Sequence, residues 1–497
     1  MTRRTPFVAQ SIYRYPRRLV DVFELHHLSA LEQWEWLHEG RVSPRELVDH
    51  YLERIERVNP QLGALTVVEA ERARARAGEL TGSVPRTAAL WGLPLADKEL
   101  VPRAGQRTTF GSRLFADYVP DSSDELVQHL DAAGSISLGA TAAPEFGMPS
   151  YTESLVAPPA RNPYALDRGA GGSSGGAAAA VAAGLLPFAP GSDGGGSIRI
   201  PAAACGLVGL KPSRGRIPAG SGLDRLAGLV VPGPLARTVA DAALMLDALT
   251  NAAPWEFATR APSPHDGAFL GAAVRGEGRF QLGVLTDSPW QGFTELVLEP
   301  EARAALDAAV EGFARLGHGV EEIYLEAEPD YARHFRTVWM AGAAGIPAHT
   351  AAELALLEPL TAWLVGQGRA LPATALTEAL SWLSGFERRV IRRLATVDIV
   401  VTPALAMTPR PLGWFDAEDA ERNFAQQVQF TPWTSFVNVA GLPALTLPIC
   451  LTGPESATPG VPMGVQLIGR PGGEAALLAL GAQWERAHPT VTHPPQW

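Results

Sequence analysis

Residues 170–209, AGGSSGGAAAAVAAGLLPFAPGSDGGGSIRIPAAACGLVG, set the pattern from which the rest of the chain is read. The stretch opens on GGSSGG at 171–176 and enters an alanine-rich segment suited to a helix. A short apolar run then leads to DGGGSIR at 193–199. Ser173 and Ser197 are thus each set among glycines, 24 residues apart, with one expected helix and one expected short strand between them. Glycine runs allow positive φ and let backbone N–H groups approach a ligand closely. Consecutive N–H groups in such a turn form an anion-binding nest. A serine at the end of a nest suggests a nucleophile beside its own oxyanion hole. Glycine–serine clusters are more often loops or linkers, but a linker is not followed by a helix-forming segment or an apolar, proline-punctuated run.

Outward from this centre the chain alternates helical patterns with short apolar runs, which predicts an α/β fold with a large central mixed sheet covered by helices on both faces. Towards the N-terminus, residues 1–27 read as an unpatterned extension. Residues 28–40 suggest a short helix ending at Gly40, and Ser43-Pro44-Arg45-Glu46 is a capping box with proline at the first helical position. The helix it opens should stop at Asn59-Pro60. A buried strand follows in 90–98, with Lys98 near its end, then a helix at 125–133 and a strand at 136–138. Towards the C-terminus, residues 250–390 are mainly helical in pattern (301–316 and 373–395), with a strand at 281–286. Trp255, Trp290, Trp339, Trp363 and Trp382 suit this section to lining a substrate entrance. Residues 398–403, 431–449 and 461–469 read as strands that return to the first sheet, giving one domain over 28–497 with 250–390 as an insertion.

The 497 residues are 46% hydrophobic with a net charge of −11, which suits a large core and offers no footprint for nucleic acid or an anionic membrane. No signal sequence or 18-residue apolar run is visible, so the cytoplasm is the expected compartment. Cys205 and Cys450 read as free buried thiols, and no metal-site spacing occurs. Two lysines, Lys98 and Lys211, stand against 39 arginines. Arginine fills most surface roles of lysine but cannot lose its proton in a protein. The two retained lysines are therefore candidates for chemistry that needs an amine.

Ser197 is the candidate nucleophile, with the amides of Gly194, Gly195, Gly196 and Ser197 converging on a tetrahedral oxyanion. Losing one such donor typically costs about 10²–10³ in rate. No histidine lies in this stretch. A desolvated Lys98 can be neutral and could take the proton of Ser197 through Ser173, a Ser–Ser–Lys arrangement.

These residues resemble the amidase signature family. The matches are GGSSGG at 171–176, GSDGGGSIRIPAAACGLVGLKP at 191–212 and the lysine pattern GLPLADK at 92–98. TTFGS at 108–112, PEF at 144–146, GPLARTVADAA at 233–243, VTP at 401–403, NVAGLPALTLP at 438–448 and PMGVQLIG at 462–469 extend them. The resemblance implies Ser197 as acyl-ester nucleophile, Ser173 on a cis peptide as relay, Lys98 as base and residues 194–197 as oxyanion hole. It implies that Asp193, Arg199 and Ser174 brace the nucleophile loop, that main chain at Gly147 lines the acyl pocket, and that Lys211 is structural. Glu99 replaces the family's usual Asp, and residues 139–142 (GATA) replace its common GKTN. Ile200 stands where the tRNA-dependent amidotransferases of the family usually carry Gln, which points to a stand-alone hydrolase.

Three other readings are weaker, the first being a non-catalytic scaffold or partner subunit, against which the complete serine–serine–lysine set argues. Residues 171–175 satisfy the G-x-S-x-G elbow of esterases, which would make Ser173 the nucleophile, but no buried strand precedes them. A nucleotide-binding protein would need a P-loop or G-x-G-x-x-G pattern, and neither is present. The expectation is an enzyme without metal or organic cofactor, a monomer or homodimer, that cleaves the C–N bond of a carboxamide, anilide or carbamate. The tryptophans and the small residues at 140–143 favour bulky apolar or aromatic substrates such as nylon-oligomer amides and urethanes. A broad amidase/esterase is the alternative.

Overall fold

A computed structural model of the chain describes residues 24–218, 226–251, 261–262, 267–489 and 497. Most of the expected N-terminal extension (1–23) and Trp255 lie outside these residues. Among the described residues, thirteen strands form three sheets. In chain order they are β1 (Leu65–Val68), β2 (Pro94–Lys98), β3 (Ile136–Thr141), β4 (Arg161–Asn162), β5 (Ala165–Gly169), β6 (Phe188–Asp193), β7 (Val208–Lys211), β8 (Val231–Ala236), β9 (Gln281–Val284), β10 (Gly319–Glu322), β11 (Ile399–Pro403), β12 (Ala444–Leu451) and β13 (Pro462–Gly469).

Eight of them build the main sheet in the order β10-β9-β11-β13-β12-β7-β8-β6. The β10/β9 and β9/β11 pairs are parallel and the others antiparallel, so the sheet is mixed. The C-terminal strands do return to the sheet of the glycine–serine stretch, because β12 pairs with β7 over Ala444↔Lys211 to Thr446↔Gly209. The 250–390 section is not only helical, since β9 and β10 extend the same sheet. The strand bearing Lys98 belongs instead to a second sheet, ordered β1-β3-β2.

Between the two sheets runs the helix Gly175–Ala182, GGAAAAVA, buried at every position. Its side chains are small enough for strands to approach it from several sides, and every carbon of the stripe contributes to the core. Elsewhere, local signals act as written. The Ser43 hydroxyl accepts from the Glu46 amide at 3.2 Å while Glu46 accepts from the Ser43 amide at 2.8 Å, opening the helix Pro44–Leu62.

Three expectations are corrected. The helix passes through Pro60, whose missing donor falls in the last turn, and ends at Gly63 in the left-handed region. Asn59 does not stop it, because its side chain clasps the main chain of Leu65 instead, at 2.8 and 2.9 Å. Residues 431–449 are not all strand: Ser435–Val439 is helical and β12 starts only at Ala444. Cys205 is buried, but Cys450 is exposed because the far end of β12 runs out of the core.

Candidate active site

The two serine runs meet where the main sheet faces the small one. Ser173 and Ser174 precede the buried alanine helix, and the Gly172–Ser173 peptide is cis. Ser197 lies between the end of β6 and the helix Arg199–Ala204. A backbone bond ties the runs together, with the Ser174 amide donating to the Ser197 carbonyl at 3.2 Å.

Lys98, at the end of β2, reaches across from the small sheet and is 1% exposed. Its Nζ donates to Ser173 Oγ at 2.9 Å, to Ser192 Oγ at 3.1 Å and to the Ser192 carbonyl at 3.3 Å. Burial pulls its pKa down to about 7, against a smaller opposing pull from Asp193. Close to neutrality such an amine can either donate to a serine oxygen or take a proton from it. Ser192 carries two of the three contacts and escapes sequence reasoning. Its place within the GSD run, one residue before Asp193, is the available signal.

Asp193 and Arg199 form a buried knot under the turn. Burial alone would raise the Asp193 pKa, but the Arg199 guanidinium overrides it and holds the carboxyl well below its usual range. The guanidinium pairs with both carboxylate oxygens, Nη2 with Oδ1 at 2.8 Å and Nε with Oδ2 at 2.9 Å. The remaining guanidinium contacts go to the Thr434 carbonyl, Gln466 Oε1 and Asn438 Oδ1. Asn438 also donates to Asp193 Oδ1 at 2.8 Å. Sequence reasoning assigns no role to Thr434, Asn438 or Gln466, although the last two fall within the NVAGLP and PMGVQLIG motifs.

The same knot changes the reading of the glycine turn. The Gly196 amide donates to Asp193 Oδ1 at 2.8 Å and is therefore not free for a ligand. Among the described residues, the amides of Gly194, Gly195 and Ser197 have no such internal acceptor. Gly196 has φ +134°, and a Cβ there would come within 2.6 Å of both Thr434 Oγ1 and Ile200 Cδ1.

Gly147 sits beside Ser173. Its φ is +68°, and a Cβ would meet Leu100 Cδ1 at 2.5 Å and Ser173 Oγ at 3.2 Å. The neighbouring Glu99 is buried with its pKa raised by that burial, and accepts from Thr109 Oγ1 at 2.5 Å. Lys211 is also buried and depressed to about 7, mainly by burial. It donates to the Pro212 carbonyl at 2.9 Å.

A cavity opens above Ser197. Met148, Pro149, Ser150 and Ile200 line one part of it, and Trp290, Phe335, Trp339 and Phe424 wall it with aromatic rings. Trp290 and Trp339 thus face the site. Trp382 instead stacks, half-buried, on His334 and Phe386 against the core, and Trp363 lies in a separate surface hollow with Pro359 and Glu421. The small residues at 140–143, expected beside the substrate, are not part of this wall. They are buried in β3 and just beyond it, where the Ala142 carbonyl accepts from the Gly176 amide at 3.1 Å.

The Amidase family profile matches residues 46–478. The candidate amidase AmiB2 of Mycobacterium tuberculosis is 37% identical over 489 residues, 95% of this chain and 98% of that one. A glutamyl-tRNA(Gln) amidotransferase polypeptide from a Roseiflexus species is 32% identical, covering 93% and 96%. Among solved structures, 6-aminohexanoate cyclic dimer hydrolase superposes with a TM-score of 0.85 at 30% identity, covering 95% of this chain and 99% of that one. A bacterial aryl acylamidase of the amidase signature enzymes gives 0.80 at 26% identity, covering 93% and 96%. The chain therefore belongs to the amidase family, the amidase-signature enzymes, and is a hydrolase of amides.

Proposed function

We propose that Ser197 cleaves the amide through an acyl-enzyme, with Lys98 as base and Ser173 as relay. The observation that carries this reading is the 2.9 Å bond between Lys98 Nζ and Ser173 Oγ, made by a buried amine whose pKa is near 7. Neutral Lys98 takes the Ser173 proton as Ser173 takes that of Ser197, and Ser197 Oγ bonds to the carbonyl carbon. The C–N bond breaks as the same proton passes back to the leaving amine. Water then repeats the sequence on the ester and frees the acid. Amides of Gly194, Gly195 and Ser197 are the oxyanion donors in this reading, and Asp193, Arg199 and Ser174 hold the turn in place.

The aromatic wall supports bulky apolar or aromatic acyl or amine groups, and anilides, carbamates and nylon-type amides are the classes to screen. Ile200 adds apolar surface beside Ser197, which favours a stand-alone hydrolase over amidated-tRNA synthesis. We read the chain as one amidase domain in which the 250–390 section lines the substrate entrance, contributing Trp290, Phe335 and Trp339 to the cavity wall.

Labelling with a sulfonyl fluoride, followed by peptide mapping, tests the assignment. A single adduct on Ser197 is expected. An adduct on Ser173 would return the esterase reading, and no adduct on the folded enzyme would count against Ser197.

A further inference from the structure

Among the described residues, the cavity wall contains no ionisable carboxylate, amine or guanidine: its polar side chains are those of Ser150, Ser197, Gln427, Thr431 and Ser435. Most of these are bonded within the protein. Thr431 donates to the Gln427 carbonyl at 3.2 Å, and Ser435 accepts from Trp290 Nε1 at 2.9 Å and lies 2.9 Å from the Tyr331 hydroxyl. Ser150 is different. Its Oγ is buried and has no partner among the described residues, and Ser197 Oγ likewise makes no internal bond to them.

The orphan hydroxyl is carried on a braced main chain. The Ser150 amide donates to Gln427 Oε1 at 2.8 Å, and Gln427 Nε2 donates to Asn423 Oδ1 at 2.7 Å. Asn423 Nδ2 in turn donates to the Tyr151 hydroxyl at 2.8 Å and to the Asp416 carbonyl at 2.7 Å. Buried polar groups in folded proteins are nearly always bonded, so an orphan held this firmly needs an explanation. Of two orphan hydroxyls in one aromatic-walled cavity, one is accounted for as the nucleophile.

We propose that Ser150 is a substrate-binding residue whose hydroxyl takes up a second, uncleaved carboxamide or carbamate group of the substrate, an assignment that rests on the reading of Ser197 given above. A hydroxyl both donates and accepts, which matches the N–H and C=O of such a group. The neutral wall fixes the class further, because an ionised substrate group would be buried there without a counter-charge. The preferred substrates are therefore uncharged compounds with two amide-type groups, one positioned at Ser197 and one at Ser150.

The test compares rates of Ser197 modification by sulfonyl fluorides of equal length. One series carries a carboxamide moved atom by atom along the chain, and the other has methylenes throughout. At one carboxamide position the native enzyme should be labelled about tenfold faster than by the methylene partner, the order expected of one neutral hydrogen bond. Ser150→Ala should bring that ratio to about one, and Ser150→Thr, which keeps a hydroxyl, should restore most of it. Equal rates at every position, or a preference that survives Ser150→Ala, overturns the assignment. Labelling of Ser197 by neither series overturns the nucleophile reading itself, and this assignment with it.

Discussion

At the scale of single residues, the proposed mechanism turns on where one amine sits. Lys98 is buried against three oxygens, and desolvation disfavours its charged form more than the Asp193 charge restores it. The sign follows directly. In the proposed mechanism the base is the neutral amine, which predominates above about pH 7, so kcat/KM should rise with pH to a plateau above that point and fall about tenfold per unit below it. A pH–rate profile flat down to pH 5 would contradict a lysine base. Lys98 and the two serines stand out in the sequence because each lies inside a run with its own pattern, whereas Asp193 and Arg199 are singled out only through the family resemblance and their pairing emerges from the fold. Ser150, Thr434 and Gln466 do not stand out, since folding alone brings them to partners 277, 235 and 267 residues away in the chain. The sequence pattern puts the Gly196 amide among the oxyanion donors, and only the carboxylate beneath it in the fold shows that this donor is already occupied.

At the scale of elements, short-range chemistry was read well and partnerships less so. The capping box at Ser43 and the apolar strands follow from neighbouring residues, and the helices Pro300–Arg315 and Ala373–Leu394 fall close to where periodicity puts them. The helix Ser435–Val439 reads as strand because SFVNV is rich in β-branched and aromatic residues, and tertiary packing overrides that weak preference. The separation of β2 and β3 from the main sheet is likewise a matter of pairing, which no single stretch encodes. The alanine helix invites a direct test. Ala178 is fully buried in Gly175–Ala182, so Ala178→Leu forces extra carbons between the two sheets. Overpacking of this kind costs about 1–3 kcal/mol, to be read as a lower denaturant midpoint with an unchanged slope.

At the scale of the whole molecule, the sheet is assembled out of sequence order. β12 and β13 are the last strands made, yet they sit between β7 and β11 and join the Ser197 half to the β9–β10–β11 half. A chain ending at residue 440 would keep Lys98, Ser173 and Ser197 but lose the centre of its sheet and the Gln466 contact to Arg199. It should show no cooperative unfolding transition and be cut throughout by a protease under conditions that leave the full chain intact. The burial of both lysines has a further consequence. Every ε-amino group in the chain is 1% exposed, so the folded surface offers none to acylating reagents, aldehydes or amine-directed cross-linkers. Modification that enzymes or chemists direct at lysine side chains is confined to chains that have opened.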